Sequence, residues 1–212
     1  MVDQLNSIGE TGFKFFGKMT ASISHEIKNV LAIINENAGL LDDFSAMADQ
    51  GMAIDPARLK KMAGALANQV GRADGILKNM DQFAHSIDKT IIDVDLNEII
   101  KLLIALADRF AAMRSVAVET DLSENLIKIR TSPFLLMNLL WLCLDFAMDA
   151  CGAGHTVVVQ TLKAGPGVQI ILLSGNVSGQ LAVKAKTLGV LEIFEKPVDI
   201  EVLMRKIKNA RS

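Results

Sequence analysis

The apolar positions of the chain follow two different rhythms. From Phe13 onward Phe16, Met19, Ile23, Ile27, Val30, Ile34, Ala38 and Leu41 recur at steps of three or four, the period of one helix face. The stripe runs about 30 residues without a proline, longer than most globular helices and suited to the arm of a hairpin or bundle. Residues 1–12 are polar with two glycines and are expected to be a frayed lead-in. The helix should end near Asp49-Gln50-Gly51. Asp55-Pro56 then supplies an N-cap and a proline at the first helical position. A second stripe follows: Leu59, Met62, Leu66, Val70, Ala73, Leu77, Met80 and Phe83. Two long amphipathic helices with a short connection predict an antiparallel hairpin. A lone hairpin cannot cover its apolar stripes, so dimerisation into a four-helix bundle is expected.

After Ile87-Asp88 the period changes and helices alternate with short strands. Leu96 to Met113 reads as a helix. Val116 to Thr120 and Leu126 to Arg130 read as strands. Ser132-Pro133 caps an apolar helix that runs through Ala150. Thr156 to Leu162 and Val168 to Leu173 form two strands around the turn Ala164-Gly165-Pro166-Gly167. Gln180 to Leu188 is expected to be a short helix. The organisation is multi-domain, α and α+β: residues 1–90 form the helical hairpin and residues 91–212 an α/β domain.

Composition narrows the function classes. Half of the 212 residues are apolar, enough for a real core, and the net charge is −2. The first 90 residues carry 9 basic and 11 acidic side chains, the remainder 13 of each. Neither part is a basic patch, so no nucleic-acid partner is expected. Mean hydropathy is +0.33. The most apolar run, Phe134 to Cys151, contains Asn138, Asp145 and Asp149 and reads as a buried helix, so no membrane association is expected. The start of the chain does not look like an export signal, and the expected location is cytoplasmic. Cys143 and Cys151 lie in the apolar run and read as buried thiols rather than a disulfide framework. His85 and His155 have no metal-ligand spacing, and no metal or cofactor is expected.

The informative segment is Ser22-Ile23-Ser24-His25-Glu26-Ile27-Lys28-Asn29, inside the first long helix. Ile23 and Ile27 belong to the apolar stripe, so His25 points outward, with Asn29 one turn on along the same face. An outward imidazole can attack phosphorus, a neighbouring carboxylate can orient the ring or take its proton, and an amide can position a water. The string SISHEIKN resembles the phosphoacceptor box of sensor histidine kinases. The resemblance covers the hairpin from about residue 13 to 88 and continues into Asp95-Leu96-Asn97-Glu98, similar to the start of the kinase catalytic domain. It implies that His25 is the phosphoacceptor, that Glu26 assists transfer and that Asn29 orients water in a phosphatase reaction.

The same resemblance makes residues 91–212 a shrunken version of the kinase ATP-binding domain. Aligned on Asn138-Leu139-Leu140, the family's magnesium asparagine falls on Leu142, and a leucine cannot ligate a hard cation. Asp145 and Asp149 could serve only in a shifted register. The family's Asp-x-Gly-x-Gly loop is replaced by Leu173-Ser174-Gly175-Asn176-Val177-Ser178-Gly179, and the long nucleotide lid is missing. The tail also resembles a response-regulator receiver, with Asp145, Ser174 and Lys196-Pro197 at receiver-like spacing. Asp93 and Asp95 do not match that family's adjacent acidic pair. Leu191 to Glu195 and Ile200 to Met204 would alternatively close a shrunken catalytic domain as its last hairpin. The expected function is histidine phosphotransfer in two-component signalling without ATP, as in dimeric histidine phosphotransferases, with a response-regulator receiver and a second copy as partners. An active kinase, a receiver phosphatase, a bundle-plus-receiver hybrid and a non-enzymatic dimerisation module are the alternatives.

Overall fold

The computed structural model describes the backbone of residues 2–164, 167–175 and 186–194, and the side chains of residues 10–162 and 170–172. The N-terminal region is one 48-residue helix, α1 (Val2–Asp49). The frayed lead-in expected over residues 1–12 is therefore corrected. Gly12 explains part of the difference: it is buried, and a Cβ there would sit 3.4 Å from the Phe134 ring. That glycine allows close packing and does not break the helix.

Helix α1 stops where the pattern predicts. Gly51 adopts φ +79, its N–H donates to Ala48 O, and the Met52 N–H donates to Met47 O. This pair of bonds with a left-handed glycine is a Schellman stop. Asp55 then accepts from the Ala57 N–H at 2.9 Å, and α2 (Pro56–His85) begins on its proline.

The chain divides into two compact units. The first comprises Thr20–Gln82, the upper parts of α1 and α2. Its buried apolar residues are Ile23, Val30 and Met62. Ile27, Ile34 and Leu66 are half-buried, and Ala38 and Leu41 are exposed. On α2, Leu59, Ala63, Leu66, Val70, Ala73, Leu77 and Met80 follow strict alternating steps of four and three, the spacing of a helix-pairing seam. Val70 and Leu77 are 55% and 51% exposed, and Leu59 and Met80 are also exposed.

The second unit joins Met1–Met19 to Phe83–Ser212. It contains β1 (Ile92–Asp95), α3 (Leu96–Met113), β2 (Ala117–Asp121), β3 (Lys128–Thr131), α4 (Pro133–Cys151), β4 (Thr156–Ala164), β5 (Gly167–Gly175) and β6 (Lys186–Phe194). Strand β1 pairs antiparallel with β3. The larger sheet has the order β2-β4-β5-β6. Its β2–β4 pair is parallel, and β4–β5 and β5–β6 are antiparallel. Helices α3 and α4 supply the other layer: Leu96, Ile100, Leu103, Leu136, Leu139 and Leu144 are buried, as are Val157, Val159, Ile170 and Leu172 of the sheet. Helix α4 is apolar and long enough to cross a membrane, but Leu136 to Trp141 are all buried within this unit. The phenylalanine that leads the packing of α1 here is Phe15, 1% exposed, and Phe16 is only half-buried. Periodicity alone could not choose between two adjacent rings.

Helix caps explain the sharp boundaries. Asp95 accepts from the Asn97 N–H at 3.0 Å, and Ser132 caps α4 ahead of Pro133. Helix α3 ends in a second Schellman stop, with Ser115 at φ 55 and bonds from Ser115 N–H to Ala112 O and from Val116 N–H to Ala111 O.

Two expectations for the tail change. A receiver needs a parallel sheet with its phosphoacceptor at a strand's carboxyl end. Here β4 and β5 form an antiparallel hairpin and Asp145 lies inside α4, so the receiver-like reading of this region is corrected. Ser174 pairs with Val157 in that hairpin, whereas Lys196 lies outside the described residues. The helix expected over Gln180 to Leu188 also fails where it can be seen: residues 186–188 open β6, whose Val190 and Ile193 suit a strand. Residues 180–185 and the strand expected at Ile200 to Met204 lie outside the described residues, as do residues 176–179 of the expected nucleotide loop.

Candidate functional site

His25, Glu26 and Asn29 all stand on α1, within the helical unit. Ser22 and Ile23 are buried, Ser24 and His25 are exposed, Glu26 and Ile27 are half-buried, and Lys28 and Asn29 are exposed. The burial sequence follows from one helix turning its apolar edge inward. At 100° per residue His25 and Asn29 are about 40° apart around the axis and one turn, ~6 Å, apart along it. Glu26 falls between Ser22 and Ile23 around the axis, on the rim of the buried edge and about 60° from Asn29. An exposed imidazole, an adjoining carboxylate and an amide one turn away can perform nucleophilic attack on phosphorus, proton uptake and water positioning, respectively.

The second unit shows what became of the expected magnesium side. Leu142 is half-buried. Asp145 is buried, and Arg114 donates to its carboxylate at 2.8 Å. The same guanidinium donates to Asp149 at 2.7 Å. Lys18 approaches the other oxygen of Asp145 at 4.0 Å. Both carboxylates of α4 that could have replaced the missing asparagine are thus engaged by a fixed cation, which leaves less negative charge to attract a divalent one. Among the described residues, no three His, Cys, Asp or Glu side chains are grouped to hold a metal. Sequence reading missed Arg114 and Lys18. They lie 31 and 127 residues from Asp145, and no local pattern links them.

A third polar group has a structural role. Asn97 donates to Ser123 O at 2.8 Å, Thr161 meets Asn97 Oδ1 at 3.4 Å, and the Ser123 N–H donates to Thr161 Oγ1 at 2.8 Å. This network ties the start of α3 to the loop after β2 and to β4. It lines an open polar recess with Asp95, Lys101 and Glu124.

No family model matches the chain. Two curated relatives do: the sensor histidine kinase ZraS of Salmonella typhi and that of Salmonella typhimurium. Each is 24% identical over 163 residues, covering 77% of this chain and 33% of the relative. The chain therefore spans about a third of the length of the curated relatives it matches. Among solved structures, histidine kinase ThkA in complex with response regulator protein TrrA aligns at TM-score 0.37 and 19% identity, over 76% of this chain and 46% of that one. A bacterial phosphotransferase aligns at TM-score 0.42 and 14% identity, over 76% and 67%.

Proposed function

We propose that this chain belongs with the histidine kinases to which it is similar and is a phosphotransfer protein of two-component signalling that works without ATP. In the forward step an imidazole nitrogen of His25 attacks the phosphorus of a receiver's aspartyl phosphate. The N–P bond forms, the P–O bond to the aspartate breaks, and the aspartate leaves as a carboxylate. Glu26 takes up the imidazole proton. The reverse step loads the aspartate of a second receiver. Asn29, on the same face, would hold a water for the competing hydrolysis.

The observation that carries this reading is the exposure of His25 away from the buried edge of the helix, with a half-buried Glu26 next to it. Independence from ATP is supported by Leu142 at the magnesium position and by the Arg114 guanidinium on Asp145 and Asp149. Pairing with a second copy is supported by the apolar seam of α2, whose Val70 and Leu77 are more than half exposed in the single chain. A four-helix bundle would bury that seam and present two His25 side chains.

The test has two arms. A receiver domain carrying radiolabelled aspartyl phosphate is mixed with the chain, and label should move to His25 and be acid-labile. No transfer to the natural chain would sink the reading. Calorimetry with magnesium-ATP should show no binding at millimolar nucleotide. Saturable binding would reassign the chain as an ATP-dependent kinase.

A further inference from the structure

The four-stranded sheet has an inner face toward the helices and an outer face away from them. On the inner face Val159, Ile170 and Leu172 border the same apolar void as Leu103 and Leu144 of α3 and α4. Side chains alternate along a strand, so Val158, Gln160 and Leu162 of β4 stand on the outer face. Glu119 and Asp121 of β2 share that face by their register with Val158 and Gln160. Gln160 donates to Asp121 at 2.6 Å across it, and Ile171 of β5 joins it opposite Gln160. Leu162 is 42% exposed there, but Val158 is only 6% exposed, close to the 5% of Val159 on the inner face. Helix α4 packs on β4 from the inner side, so it does not account for the burial of Val158.

Residues 195–212 follow β6 and lie outside the described residues. In their sequence Ile200, Leu203, Met204 and Ile207 recur at helical steps, beyond the end of the strand expected there. Asp199 and Glu201 stand at the start of this stripe, and Arg205, Lys206, Lys208 and Arg211 toward its end. Acid first and base last is the order that complements a helix dipole. An amphipathic stripe of this kind needs an apolar surface to cover. Residues 176–185 also lie near the outer face, but they must carry the chain from β5 to β6, and Lys184 is their one charged residue.

The tail has the reach. From the end of β6 to Glu119 the way is about 14 Å across the strands and about 20 Å back along them, ~25 Å on the diagonal. A four-residue linker and a helix over 199–211 span about 30 Å. We propose that residues 199–211 form a helix that lies on the outer face of the sheet. Ile200, Leu203 and Ile207 would cover Val158 and Ile171, and the basic end would lie beside the exposed carboxylates of Glu119 and Asp121. This cover is independent of the chemistry assigned to His25.

Methyl-labelled NMR of the full chain tests the proposal without a variant. The Val158 methyls should give cross-peaks to Ile200, Leu203 or Ile207. Their absence, or cross-peaks from Val158 to Leu181 or Val183 alone, overturns the proposal. A mixture of differently labelled copies tests a second copy as the occupant, and cross-peaks found only between copies overturn the proposal as well. Leu203→Asp then places a carboxylate in the covered stripe. In the natural chain a soluble gadolinium chelate should relax the Val158 methyls as weakly as those of buried Leu144. In the variant it should relax them as strongly as those of exposed Leu162. Val158 left at the Leu144 level overturns the proposal. An equal rise at Leu144 also overturns it, since the tail would then be part of the main core and not a cover on the outer face.

Discussion

The helical unit and the α/β unit of one chain solve the burial problem in opposite ways. The α/β unit places α3 and α4 against a four-stranded sheet and buries many large apolar side chains within itself, among them Leu96, Ile100, Leu136, Leu139, Leu144 and Ile170. The helical unit buries Ile23, Val30 and Met62 and leaves a regular apolar seam on α2 facing outward. Two helices have only one shared interface, whereas a helix layer on a sheet closes a core from two sides. The unit that carries the candidate chemistry is thus the one that cannot finish its own core. The α/β unit has the larger core among the described residues, and the carboxylates of Asp145 and Asp149 on its α4 are engaged by Arg114.

That contrast can be broken most sharply at His25. Replacing it by alanine should reduce receiver-derived labelling to background with the helical circular dichroism unchanged, because an exposed side chain contributes little to stability. Labelling that persists would move the chemistry off the helical unit altogether. Next in size, Leu77→Lys should place a charge in the seam and weaken self-association by about a hundredfold or more, ~3 kcal/mol, read by sedimentation. The α/β unit should be untouched, and an unchanged sedimentation profile would mean that the seam is not where copies meet. In the larger core, Leu144→Ala should lower unfolding free energy by about 2–5 kcal/mol in denaturant titration. Leu144 is 2% exposed and borders a small apolar void lined also by Leu103, Cys143 and Val159.

Two smaller effects sharpen the picture at helix ends. Asp95→Ala should cost about 1 kcal/mol by removing the cap on α3. Ser115→Gly should stabilise. A non-glycine residue in the left-handed region costs about 1–2 kcal/mol, more than the roughly 0.4–1 kcal/mol that glycine's unfolded-state freedom takes back. A net gain near ~0.5 kcal/mol is expected, read as a raised melting temperature. The matching stop on α1 already uses glycine, at Gly51.

Local signals made much of the fold legible. The bounds of α3 match the pattern, and α2 and α4 begin on Pro56 and Pro133 as their proline signals require. The hairpin strands β4 and β5 lie where the turn around Gly165-Pro166 places them. The receiver-like alternative rested on spacings between Asp145, Ser174 and Lys196. Spacing along a chain does not reveal whether neighbouring strands run parallel, and pairing direction decides between the two folds. The candidate site was legible because His25, Glu26 and Asn29 all lie within two turns of one helix.

What the sequence alone determined is therefore what short-range chemistry encodes: caps, stops, helix periods, and a histidine on the outward side of a long amphipathic helix. Tertiary structure decided the rest. It chose Phe15 over Phe16 as the ring that packs on α4, because only a facing surface can distinguish adjacent positions. It made Gly12 a packing residue through the nearby Phe134 ring. It brought Arg114 to Asp145 and Asp149 and left Asn138 buried without a partner. These outcomes join residues far apart in the chain, and their energies exist only once the chain has brought those surfaces together.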